Sequence, residues 1–167
     1  SMAVQKTMET VGRAVLTTEG EGNEALRKAI SDGTMDAAKL NKELIHFIYR
    51  LLFLFIIEER GLVYQIPDSV DAPDYKQICH WQDIYNKFYA ASRLRHLSEL
   101  SYLKQHQYSD LWQGLMETFH LFEPDAFGEK LGIKPLGGVL FDGNTLPWLK
   151  RCRVSNYDLL SAFSYLN

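Results

Sequence analysis

The chain has 167 residues, of which 46% are hydrophobic and 23% charged, and this composition excludes the poorly hydrophobic, highly charged class of disordered proteins. Its formal net charge of -3 gives no average attraction to nucleic acid or to an anionic membrane surface, so such a contact has to be local. Two cysteines, Cys79 and Cys152, are too few for a disulfide framework and lack the spacing of a zinc site, which favours a reducing, cytoplasmic setting.

The beginning of the chain lacks the apolar stretch of a secretory signal, and Ser1-Met2 indicates an expression tag. We therefore expect residues 1–14 to be a poorly ordered or tag-derived lead. Residues 15–167 have the size of one ordinary domain with a sizeable core, and no repeat or composition shift divides them. We expect a single helical domain here, cut from a larger protein.

A long apolar helix dominates the sequence pattern. It is expected to follow a short helix capped by Asn23 and to run from its own N-cap, Asp36, to about Arg60. Only His46 and Arg50 interrupt its apolar run, which is shorter than the roughly 18 residues needed to cross a membrane. Such a helix has to be enclosed by other elements. The sequence predicts a mainly α, compact multi-helix domain around one long buried central helix, in which Arg50 finds a carboxylate.

Further helices are predicted downstream, where apolar residues recur at helical spacing. Ser109 and Ser155 are the expected N-caps of two of them, and Pro124 ends the helix that follows Ser109. The glycines and prolines of residues 123–150 predict an ordered Gly/Pro-rich loop region near the C-terminal end, with a short strand at residues 139–141. The predicted helices cover about residues 81–89, 94–103, 111–122 and 155–166.

Residues 20–25 have the G-x-G-x-x-A form of a dinucleotide-binding loop. Such a loop requires a preceding strand, and it requires an acid about 20 residues later at the end of a second strand. The acid at that distance, Glu43, falls inside the long predicted helix. The pattern is therefore expected to be a flexible turn rather than a cofactor site.

Residues 67–68 and 74–76 spell the P-D…D-x-K pattern of many nucleases, in which two carboxylates hold Mg²⁺ and the lysine stabilises charge at the attacked phosphate. That chemistry needs ligands on adjacent strands. Here the spacer is short and joins two helical segments, so a solvated acidic loop is the expected structure.

The histidines include no His-x-x-x-His pair and no cluster with cysteine at metal-ligand spacing. No G-x-S-x-G elbow places a nucleophile, although a triad whose members meet only in space stays open. We therefore expect structural histidines, no metal site and no catalytic residue. The five histidines are His46, His80, His96, His106 and His120.

Two clusters of positive charge are the candidate nucleic-acid-binding residues. Lys150, Arg151 and Arg153 form the denser one, and Arg93 and Arg95 form the other. Either can contact phosphates. The alternative is a solvated helix edge or a salt-bridged face, which the net acidity of the chain favours.

Three stretches of the sequence together resemble one family. They are residues 44–62, LIHFIYRLLFLFIIEERGL, residues 136–142, LGGVLFD, and residues 154–156, VSN before an apolar helix. They are similar to the region that precedes the methyltransferase domain in large bacterial type IIG-like restriction–modification enzymes and related adenine-specific DNA methyltransferases of phage-defence systems. The resemblance extends over roughly residues 15–166.

The resemblance implies a parent chain that joins a nuclease domain, a helical connector, a methyltransferase and a target-recognition domain. This chain corresponds to the connector. The family's N-P-P-Y motif for the flipped adenine is absent because every proline is isolated. The resemblance thus assigns no catalytic or cofactor-binding residue here, and S-adenosylmethionine and Mg²⁺ are expected only in the parent. The five prolines are Pro67, Pro73, Pro124, Pro135 and Pro147.

The leading hypothesis is a noncatalytic helical connector that positions the nuclease and methyltransferase domains of the same parent chain, with DNA-backbone contact as a secondary role and no membrane contact. It predicts that Leu159, Phe163 and Leu166 form a partly exposed stripe that the next domain covers. The alternatives are an autonomous helical module that binds a separate polypeptide and, third, an enzyme in its own right.

Overall fold

The computed structural model describes residues 1–167 and confirms the predicted fold class: the chain is compact and all-helical, without strands. Seven α-helices are joined by turns and by short 3-10 segments at Ser101–Leu103, Phe127–Leu131 and Leu149–Arg151. No helix combines the length and the apolar character that a membrane crossing requires. The helices are α1 Met2–Thr17, α2 Glu21–Ser31, α3 Ala37–Glu59, α4 Tyr75–Phe88, α5 Ala91–Leu97, α6 Asp110–Leu121 and α7 Asn156–Ser164.

Helix α3 is the long central helix that the apolar run predicts. The Asp36 side chain accepts a hydrogen bond from the Lys39 backbone N–H at 2.9 Å, so it caps the helix as expected. Phe47 stacks on Trp112 of α6 and meets Phe119 edge-on, with ring centroids 5.3 and 5.9 Å apart. These aromatic contacts place the centre of the core between α3 and α6.

One face of α3 is not enclosed, which limits the prediction of a helix buried all round. Tyr49 is 56% exposed, Phe53 37% and Ile56 49%, and Val139 beside them is 72% exposed. The three helical residues follow one another at helical spacing, so they form a single apolar strip along the outer side of α3. The apolar run counts the residues that need cover, but the number of covering helices is decided elsewhere in the chain.

The expectation for residues 1–14 is wrong as regards order. These residues belong to α1, which packs against α3 and α7. Val11 and Ala14 are buried, and the Thr7 hydroxyl lies 3.2 Å from the carbonyl oxygen of Ala162 in α7. The first helix is therefore part of the core, and the extent of the natural domain stays a prediction.

Two expectations near the C-terminal end are also wrong. Leu159 and Phe163 are fully buried and only Leu166 is partly exposed, because α1, α3 and α5 enclose α7. The apolar stripe of α7 is thus covered within this chain, which argues against α7 as the docking face of a neighbouring domain. Residues 139–141 form a turn rather than a strand.

Candidate functional site

A buried arginine connects the first two stretches that carry the family resemblance. Arg50 of α3 is completely buried, and its guanidinium donates to the carbonyl oxygens of Leu140 and Asp142, each at 2.9 Å. It also contacts Glu123 Oε2 at 2.9 Å and Thr145 Oγ1 at 2.6 Å. The prediction that Arg50 finds a carboxylate is confirmed, and the same side chain holds the loop of residues 140–145 against α3.

The carboxylate partner, Glu123, is itself only 3% exposed and also binds Lys150, whose Nζ lies 2.6 Å from Glu123 Oε1. The rings of Phe119 and Phe141 lie against the guanidinium, with centroids 5.3 and 4.9 Å from its central carbon. Burial lowers the pKa of Arg50, and the bond to Glu123 opposes that shift. The cluster is a buried ion pair whose members are satisfied by the protein.

Glu58, near the end of α3, binds the beginning of α5. Its carboxylate accepts the backbone N–H groups of Ala91 at 2.9 Å and Ser92 at 2.8 Å, and the Tyr85 hydroxyl at 2.5 Å. A carboxylate in this position satisfies N–H groups that have no partner inside the helix. Burial, with the Glu58 charge, raises the pKa of Tyr85 well above its ordinary value, so this hydroxyl stays a donor.

Glu43, in the first half of α3, has a similar structural role. It is 6% exposed, and its Oε1 accepts the backbone N–H groups of Trp148 and Leu149, each at 3.0 Å. Burial raises the pKa of Glu43, against the opposing effect of these two hydrogen bonds. Burial and the nearby Glu43 also raise the pKa of Cys152 to about 11, which marks this thiol as inert rather than nucleophilic.

The first basic cluster is largely used within the fold. Arg95 donates to the carbonyl oxygen of Leu166 at 3.2 Å and lies 4.8 Å from the centre of the Phe55 ring, so it holds the C-terminal residues. Arg93 is half-buried and donates to the carbonyl oxygen of Phe88 at 3.2 Å. Burial lowers the pKa of Arg93. Neither residue presents a free guanidinium to a phosphate.

The second cluster is more accessible. Arg151 and Arg153 are exposed: Arg151 lies over the Trp148 ring at 4.6 Å, and Arg153 donates to the Ser109 hydroxyl at 2.9 Å. Together with Lys150 they line a groove of about 280 Å³. The structure thus brings these three predicted residues to one surface, although Lys150 is paired with Glu123.

The glycine pattern at the beginning of α2 has a packing explanation. A Cβ atom on Gly22 would lie 1.8 Å from the carbonyl oxygen of Arg151, so the α2 backbone touches the segment before α7. Gly22 lies inside a regular helix that begins at Glu21. The pattern therefore reflects a close approach of two backbones, not the flexible turn that was expected.

The acids of the nuclease-like pattern lie between two helices. Asp68 and Asp74 both line a cleft of about 740 Å³, and Lys76 of the pattern is not among its lining residues. Histidines, cysteines and carboxylates nowhere form a group of three or more that could hold a metal ion. His120 stacks on the Phe127 ring and lies 2.6 Å from Asp125, and His106 stacks on Tyr157, so both have structural contacts.

Sequence reasoning missed the buried acids Glu43 and Glu123 as organising residues. Glu43 follows Leu40 by three residues on the inner face of α3, and Glu123 lies directly before Pro124, where a buried acid has no local signature. Comparison with known proteins adds no assignment. Neither a scan against protein-family models nor searches of curated proteins and of solved structures finds a match for this chain.

Proposed function

We propose that this chain is a noncatalytic helical connector from a type IIG-like DNA restriction–modification enzyme whose parent chain carries an adenine-specific DNA methyltransferase. One observation supports this most directly: the stretches that resemble that family are used to hold one another. Arg50 of the first stretch binds the carbonyl groups of Leu140 and Asp142 in the second.

The third stretch is used in the same way. Ser155 caps α7 through the Asp158 N–H, and the Asn156 side chain accepts from the Leu111 N–H at 3.2 Å and donates to Asp110 at 3.0 Å. The motif residues therefore stabilise the junction of α6 and α7. Residues that serve packing in this way suit a rigid spacer, because a spacer requires fixed geometry and no chemistry of its own.

The proposed partners are the nuclease and methyltransferase domains of the same cytoplasmic parent. S-adenosylmethionine and Mg²⁺ belong to those domains in this proposal. The exposed strip of Tyr49, Phe53 and Ile56, with Val139 beside it, is an apolar surface available to a neighbouring domain. The same strip also favours the alternative function, an autonomous helical module that binds a separate polypeptide.

The natural reading frame distinguishes the two functions. The connector proposal predicts that the frame continues past Asn167 into an N-P-P-Y motif and that the isolated chain, studied by calorimetry, binds neither S-adenosylmethionine nor Mg²⁺. A stop codon at that point would support the separate-partner alternative. Binding of S-adenosylmethionine by the isolated chain would contradict both functions.

The secondary role in DNA contact has its own expected result. Charge reversal of the exposed pair, Arg151→Glu with Arg153→Glu, is expected to lower the DNA affinity of the parent enzyme and to reduce the dependence of log K on log salt by about two phosphate contacts. Arg13→Glu, an exposed charge reversal on α1, is the matched control. Equal affinities and equal salt slopes for the double variant and the control would exclude the DNA role.

A further inference from the structure

The largest cleft of the molecule lies between residues 62–68, α4 and residues 132–136. Its base is apolar and includes Ile78, Trp81 and Ile133. Gly132 has a φ of +68°, and a Cβ atom added there would lie 2.3 Å from the Trp81 ring. The indole therefore packs directly on the backbone of one wall, which fixes its position at the base of the cleft.

The two walls of the cleft are held at a defined separation. The Tyr64 hydroxyl, on the first wall, donates to the carbonyl oxygen of Leu131, just before the second wall, at 2.7 Å. Burial raises the pKa of Tyr64, so this donor persists across the ordinary pH range. On the second wall, the Leu136 N–H donates to the Phe122 carbonyl oxygen at 2.9 Å. These bonds make the cleft a preformed feature of the fold.

Backbone groups along the walls are available to a ligand. The N–H and C=O groups of residues 63–66 make no hydrogen bond within the chain, and the same is true of the Lys134 N–H and of the C=O groups of residues 133–136. The first of these walls belongs to neither a helix nor a strand. A row of unused donors and acceptors beside an apolar base is what an extended peptide requires, since main-chain bonds supply affinity and alternate side chains enter the pocket.

The charge at the mouth of the cleft selects among such peptides. Asp68 and Asp74 are exposed lining residues, whereas Lys134 is the single cation among the residues that line the cleft. A basic side chain of the ligand gains from this surplus of negative charge, and an acidic one is repelled.

We propose that this cleft binds an extended peptide segment of another protein, in which apolar side chains alternate with lysine or arginine. The apolar side chains contact Trp81 and its neighbours at the base, the peptide backbone pairs with residues 63–66, and the basic side chains lie against Asp68 and Asp74. This proposal goes beyond the connector function and does not depend on it.

The test is an NMR titration of the 167-residue chain with two short synthetic peptides, one of alternating valine and lysine and one of alternating valine and glutamate. The lysine peptide is expected to shift the amide signals of residues 63–66 and the Trp81 indole signal. At low salt it is expected to bind about tenfold more tightly than the glutamate peptide. A lysine peptide that is N-methylated at alternate residues is expected to lose binding, because it lacks main-chain donors.

Neutralising the mouth tests the charge argument. The double variant Asp68→Asn with Asp74→Asn is expected to remove most of the preference for the lysine peptide, whereas Asp83→Asn, an exposed change elsewhere on α4, leaves it intact. Unshifted cleft amides, equal binding of the two charged peptides, or undiminished binding of the N-methylated peptide would each overturn the proposal.

Discussion

Replacing Arg50 by methionine is expected to lower the free energy of unfolding by about 3 to 5 kcal/mol, the usual cost of removing one partner of a buried ion pair. Methionine keeps most of the volume between Phe119 and Phe141 but leaves Glu123 with Lys150 alone. The carbonyl groups of the loop also lose their arginine donors. Urea unfolding followed by circular dichroism measures the change.

Two further variants separate the lost ion pair from lost packing. Adding Glu123→Gln to Arg50→Met is expected to restore part of the loss, because the buried charge is then removed together with its partner. Lys42→Met, an exposed change on the same helix, is expected to stay within about 0.5 kcal/mol of the unchanged protein. A loss of less than about 1 kcal/mol for Arg50→Met would show that the cluster does not hold the loop.

The helices whose ends carry local signals could be predicted from the sequence. Asp36 and Ser155 cap α3 and α7 as expected, because a side-chain oxygen three residues before an N–H is a local arrangement. Helix α1 was missed although Val4, Met8, Val11 and Val15 follow helical spacing. Its inner face relies on small residues, so the apolar signal is weak, and the tag-like first residues directed attention away from it.

The partners of charged residues could not be predicted, because they come from distant parts of the chain. The sequence indicated that Arg50 needs a carboxylate, but Glu123 lies 73 residues away. Arg95 and Lys150 were predicted to contact DNA, and both have partners in the fold that their neighbours in sequence do not reveal. A cluster of basic letters records charge density, whereas the free charge depends on tertiary contacts.

Asn23 was predicted to cap α2 and instead lies inside it, where it joins three segments. It is fully buried, and its Nδ2 donates to the carbonyl oxygens of Val15 and Arg153, each at 2.9 Å. Its Oδ1 accepts from the Arg153 N–H at 2.7 Å. Every hydrogen-bonding group of the amide is therefore used to tie the end of α1 and the start of α2 to the segment before α7.

The variant Asn23→Asp keeps the shape of the side chain and removes both donors, so it is expected to cost about 3 to 5 kcal/mol at neutral pH. A carboxylate would face two carbonyl oxygens in a buried site, which raises its pKa above that of aspartate in the unfolded chain. The loss should therefore shrink as pH falls through that raised pKa, because a protonated carboxyl group can donate to one carbonyl. Denaturant unfolding across a pH series measures this, with the exposed change Asn41→Asp as control. A small loss that does not vary with pH would mean that the Asn23 bridge contributes little to the junction of these three segments.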